Sequence, residues 1–192
     1  MNIPNKLTFA RVCMIPAFVI IIILGMSDNF ALNLYHARMI SAGIFILASV
    51  TDWLDGYLAR KLNQTTDFGK FMDPLADKIL VMAAMVYLVV LGDMSPWVLI
   101  IIESREFVIA GVRMVAANKN IVIAASFWGK LKTVIQMIMI PTVLTQTQFV
   151  AFDNFTHFVG RILIIASVVL AVISALDYIR KNWQVFQEEI KH

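Results

Sequence analysis

The chain has 192 residues, 60% of them hydrophobic and 15% charged, with a mean hydropathy of +0.79. Soluble domains carry roughly 45–50% apolar and about 25% charged residues, so a single water-exposed domain is excluded and a polytopic helical membrane protein fits. The net charge is only +3, nothing in its distribution suggests nucleic acid, and the lone Cys13 excludes a disulfide framework and a thiolate zinc site.

The first apolar run, Val12 to Leu24, follows Lys6 and Arg11 as in a signal peptide. The chain continues LGMSDNF with no small-residue cleavage site, so it reads as a retained transmembrane helix. Stretches of about 20 residues, the length that crosses a bilayer, fall near 7–25, 37–60, 68–91, 96–116, 127–147 and 157–178. The expectation is an all-α protein with six transmembrane helices, one membrane domain over 1–192 and no internal repeat. Fourteen of the sixteen Lys and Arg residues fall on the side shared by both termini; only Arg38 and Arg161 go to the other. Both termini are therefore expected in the cytoplasm. Trp53, Trp97, Trp128 and Trp183 fall near helix ends, as interfacial aromatics do. Asn182 to His192 is a weak candidate for an interfacial tail.

Between the second and third spans, SVTDWLDGYLARKLNQTTDFGKFMDPLADKIL places Asp52 and Asp55 at i, i+3 and Asp73 and Asp77 at i, i+4. Each pair shares a helix face. A reversal near Asn63–Gln64 brings all four to similar depth, roughly 5–12 Å in from the turn at ~1.5 Å per residue. Four like charges this close need a cation between them. Carboxylates with no His or Cys nearby suit Mg²⁺ or Mn²⁺, and a pair of such ions suits phosphoryl transfer. Helix-end ion pairs with Arg60, Lys70 and Lys78 are the bland alternative. Gly56, Gly69 and Ala59 keep the helix surface open to a bulky ligand, and Pro74 removes a backbone donor nearby.

The pattern Asp52-x2-Asp55-Gly56-x2-Ala59-Arg60-x8-Gly69-x3-Asp73-x3-Asp77 resembles the signature of the CDP-alcohol phosphotransferases without a departure. The resemblance implies a six-helix enzyme of the bacterial inner membrane with a cytoplasm-facing site. It implies transfer of the phosphatidyl or a similar group from a CDP-linked donor to an alcohol, with release of CMP. On that resemblance Asp52, Asp55 and Asp73 hold two divalent cations, and Asp77 completes the metal site and acts as general base. Asp52, Gly56, Ala59 and Gly69 contact the CDP donor, with Arg60 nearby. A homodimer is implied as well.

The basic residues raise the question of the acceptor. Arg105 lies inside the fourth span with Glu103 or Glu106 as a partner, Arg113 follows it by eight, Lys130 and Lys132 open the fifth span, and Thr8 and Arg11 lie in the first. Internal ion pairing and snorkelling are one account. The functional account is a phosphate pocket built from Arg11, Thr8, Arg105, Arg113 and Lys130. NIPNKLTFAR, ESREFVIAGVR and SALDYIRK look like the corresponding stretches of bacterial phosphatidylglycerophosphate synthases, which implies CDP-diacylglycerol and glycerol 3-phosphate as substrates. Serine, inositol-phosphate or cardiolipin-type transferases are the runners-up. A divalent-cation transporter is a more distant one, since the charge crowds one leaflet and no repeated half is present.

Overall fold

The structure is a computed structural model describing the backbone of residues 3–27, 32–62, 67–118, 123, 126–146 and 153–182, and their side chains outside 3–8, 53, 55–62, 67–74, 118 and 153–154. Six helices and no strand occur among the described residues: α1 (Ile3–Met26), α2 (Leu34–Leu62), α3 (Asp67–Val90), α4 (Pro96–Asn118), α5 (Phe127–Leu144) and α6 (Asp153–Lys181). Their positions follow the six expected apolar stretches closely. Phe9–Met26, Leu34–Asp52 and Phe155–Lys181 are long and apolar enough to cross a membrane. Residues 63–66 of the KLNQTT turn, most of the 119–125 connection and the tail from Trp183 lie outside the described residues.

Local chemistry sets the helix ends. Asn33 caps α2, its Oδ1 accepting from the Tyr35 N–H at 3.1 Å, and Ser126 caps α5, its Oγ accepting from the Gly129 N–H at 3.1 Å. Pro96 opens α4, where a missing N–H costs nothing. α3 ends in a Schellman turn. Gly92 takes φ 81°, Asp93 N–H donates to Leu88 C=O at 2.9 Å, and Gly92 N–H donates to Val89 C=O at 3.0 Å.

The chain forms two compact units: Met1–Asp93 with Ile140–His157, and Met94–Met139 with Phe158–His192. In the first, α1 packs along both α2 and α3. Phe18 and Ile22 on α1 and Ala37, Ala42, Phe45 and Ala48 on α2 are all buried. Phe18 meets Tyr87 edge-on at 6.4 Å. The α1–α2 approach is close at Gly25, where a Cβ would sit 2.2 Å from the Ala37 Cβ. Arg11 pairs with Asp52 (see below), fourteen residues back along α1 and fifteen forward along α2, so these helices run antiparallel.

At the other end of this unit, Arg38 is buried. Its Nη2 donates to Asp93 Oδ2 at 2.5 Å and to Val143 C=O at 3.1 Å, and its Nε donates to Leu144 C=O at 3.0 Å. The guanidinium thus caps the last carbonyls of α5, where the helix dipole favours a cation. In the second unit Ile109, Val112 and Tyr178 form a buried cluster, and Ser167 Oγ lies 3.4 Å from Met139 S. Large apolar side chains are exposed on both units: Ile20, Ile46 and Leu47 on the first, Phe107, Ile165 and Leu176 on the second. Such faces are unsuited to water and suited to hydrocarbon.

Candidate active site

The acidic end of the first unit is carried by two helices. Asp52 and Asp55 lie on α2, and Asp73 and Asp77 lie on α3. The Asp52 carboxylate is partly exposed and receives Arg11 of α1, whose Nη1 is 2.6 Å from Oδ1. Arg11 itself is buried at 1% exposure. A buried guanidinium is costly unless paired, so α1 is tied to the acidic end by this contact. Asp77 is half-buried beside exposed Lys78. The helices carrying Asp55, Gly56, Ala59, Arg60, Gly69 and Asp73 are described; their side chains, and that of Thr8, lie outside the described set.

The donor chemistry fits a hard divalent cation. The four positions on α2 and α3 offer carboxylate oxygen alone, and Asp52 already faces a cation at 2.6 Å. Among the described residues no three His, Cys, Asp or Glu side chains converge on one point.

The second unit holds a polar cavity of about 220 Å³. α4 contributes Arg105, Glu106, Ile109 and Arg113 to its lining, and α6 contributes Tyr178. The N-terminal turns of α5 supply Ser126, Gly129, Lys130 and Thr133. Positive dipole and unsatisfied N–H groups at a helix start favour an anion there.

Arg105 is fixed from three directions. Nε donates to Ser174 Oγ at 2.9 Å, Nη1 donates to Glu106 Oε1 at 2.6 Å, and Nη2 lies where a side chain at Gly129 would begin, 2.8 Å from an ideal Cβ. Glu106 Oε1 also accepts from Lys132 Nζ at 2.7 Å. Glu106 is thus a partner of Arg105, and it is shared with a lysine from α5. Arg113 places its guanidinium 5.9 Å from the centre of the Tyr178 ring, within cation–π range. Three cations, Arg105, Arg113 and Lys130, therefore line the cavity against the single carboxylate of Glu106.

Of the residues expected to hold an acceptor phosphate, Arg105, Arg113 and Lys130 share this cavity, whereas Arg11 lies in the first unit against Asp52. Sequence reasoning missed Tyr178 and the buried role of Lys132. Tyr178 sat in the quoted SALDYIRK stretch, but an isolated tyrosine in an apolar helix carries no spacing signal. The charge count along the sequence only assigns Arg38 to the side away from both termini; burial and a carboxylate partner 55 positions away make it a cap.

Comparison with known proteins adds to this geometry. The profile of the family described as CDP-alcohol phosphatidyltransferase matches residues 1–173. A Bacillus subtilis protein named CDP-diacylglycerol–glycerol-3-phosphate 3-phosphatidyltransferase is 41% identical over 190 residues, covering 95% of this chain and 96% of the relative. Proteins of the same name from Haemophilus influenzae and Wigglesworthia glossinidia brevipalpis are 40% and 39% identical. The former alignment covers 93% of this chain and 92% of the relative, the latter 96% of each.

Proposed function

The chain belongs to the CDP-alcohol phosphatidyltransferase family, and from that premise we propose that it transfers the phosphatidyl group of CDP-diacylglycerol to sn-glycerol 3-phosphate. The products are phosphatidylglycerol phosphate and CMP. The observation that carries the choice of acceptor is the cation-lined cavity at the start of α5. Arg105, Arg113 and Lys130 there suit the phosphate of a phosphorylated alcohol better than a neutral or zwitterionic one. The printed names of the relatives agree with that choice.

In the reaction the acceptor's sn-1 hydroxyl oxygen attacks the donor's β-phosphorus. A new P–O bond forms, the bond from that phosphorus to the bridging oxygen breaks, and its electron pair leaves with CMP. Asp77 takes the hydroxyl proton as general base. Asp52, Asp55, Asp73 and Asp77 would hold two divalent cations, Mg²⁺ or Mn²⁺, which when bound supply charge neutralisation on the diphosphate. Asp52, Gly56, Ala59 and Gly69 border the cytidine diphosphate, with Arg60 beside them. The Arg11 guanidinium holds the Asp52 carboxylate in place. Arg105, its fork fixed by Ser174 and Glu106, orients the acceptor phosphate with Arg113 and Lys130.

Support for a single membrane domain comes from the family match across residues 1–173. We place all six helices across the bacterial inner membrane with both termini in the cytoplasm, on the strength of the Lys/Arg asymmetry. The donor's acyl chains then stay in the cytoplasmic leaflet beside the acidic helices. A homodimer is part of the proposal on the family resemblance alone. The test is purified protein given CDP-diacylglycerol and each candidate alcohol in turn, with CMP release measured. Turnover is expected with glycerol 3-phosphate. Turnover with serine or inositol phosphate and none with glycerol 3-phosphate would overturn the assignment.

A further inference from the structure

One group in the second unit is unexplained by the contacts around it. Tyr178 is 2% exposed, and its hydroxyl is buried with no hydrogen-bond partner among the described residues. Its ring is held on Ile109 and Val112 and lies under the Arg113 guanidinium. The backbone beneath it is anchored too, because the Tyr178 carbonyl accepts from Asn182 N–H at 3.2 Å and from Asn182 Nδ2 at 2.8 Å. The ring packing would be satisfied equally by phenylalanine. A buried hydroxyl without a partner destabilises the protein that carries it, so its presence calls for a partner that arrives with a ligand. The residue lines the same cavity as Arg105, Arg113 and Lys130, whose cations select an anion, and anionic oxygens are strong acceptors. Two of the three guanidinium nitrogens of Arg105 are already committed, to Ser174 and Glu106.

We propose that the Tyr178 hydroxyl is a specificity-determining donor that completes the cradle for the acceptor's phosphate monoester. This rests on the reading of the cavity as the acceptor site. The hydroxyl is neutral and its oxygen is held in place by the packed ring, so it adds a geometric requirement to a pocket whose charges alone would accept any small anion.

The test compares the full-length wild type and Tyr178→Phe in detergent micelles, by thermal unfolding with and without glycerol 3-phosphate and by steady-state kinetics. Without acceptor, the variant is expected to melt at the wild-type temperature or above it, since an unpaired buried hydroxyl is gone. With acceptor, its stabilisation is smaller than the wild type's. KM for glycerol 3-phosphate rises roughly tenfold or more, the ratio for one hydrogen bond to a charged group, while KM for CDP-diacylglycerol stays unchanged. A lower melting temperature without acceptor, together with an unchanged acceptor KM, would mean that the hydroxyl serves the fold, and the inference falls. Arg113→Ala separates the two levels. If it raises the acceptor KM and Tyr178→Phe does not, only the role of Tyr178 is lost. If neither variant moves that KM, the cavity is not the acceptor site and both readings fail.

Discussion

Arg11 and Arg105 are both arginines in apolar helices, and the structure treats them alike in one respect: each is paired with a carboxylate at 2.6 Å. They differ in what the carboxylate is for. Glu106 is shared between Arg105 and Lys132 and holds the fork of a pocket residue; Asp52 belongs to the acidic set itself. The spacing of the four aspartates was readable because two helical pairs mirrored about one turn form a pattern along the chain. The sharing of Glu106 was not, because Lys132 arrives from another helix and no local spacing records it. Asp77 yields the sharpest prediction at this scale. Asp77→Asn keeps the size of the side chain and removes its basicity, so phosphatidyl transfer should fall by at least the 10²–10⁴-fold typical of general-base loss, about 2.7–5.4 kcal/mol of barrier. Binding of the CDP donor, followed by equilibrium dialysis with radiolabelled CDP-diacylglycerol in micelles, should largely survive. Wild-type turnover would remove Asp77 from the base role.

Helix existence and position followed from apolar length alone, which is why the expected spans and the observed helices nearly coincide. How closely two helices approach is a different kind of information, held in single side chains at their contact. Gly25 and Gly43 look equivalent in sequence, each a glycine in an apolar stretch. At Gly25 an added Cβ would overlap the Ala37 Cβ at 2.2 Å, and since that atom is fixed to the α2 backbone the helices must separate; at Gly43 nothing lies within 4 Å. Gly25→Ala should therefore destabilise the protein by about 1–3 kcal/mol, the usual cost of overpacking. Gly43→Ala should be neutral or slightly stabilising, because alanine favours helix. Denaturant titration of the two variants side by side checks this, and equal stability would show that the α1–α2 approach is not limited at Gly25.

For the molecule as a whole, the proposed topology follows from charge placed along the chain. Protease-sensitive tags fused to the N- and C-termini should both be cleaved in inverted membrane vesicles and both be protected in intact spheroplasts. Tags on opposite faces would mean an odd number of spans and would require the helix assignment to be redrawn. Composition made the membrane class legible, and six apolar stretches made the helices legible. The grouping of those helices into two units was not, since it depends on packing between segments far apart in sequence.

The cap at Arg38 bears on how such a chain comes to be assembled. Its carboxylate partner Asp93 is made 55 residues later, and the carbonyls of Val143 and Leu144 follow it by 105 and 106. During synthesis the arginine charge thus precedes its counter-ion by more than a helix length, and precedes its last two acceptors by most of the chain. On the proposed topology, in which α2 crosses the bilayer, that charge would be most favourably carried across in company with Asp93, as a hairpin of α2 and α3. The Arg38 cap of the first unit can therefore be completed only once the end of α5 has been made. A ribosome stalled before residue 143 would leave Arg38 with an incomplete set of bonds.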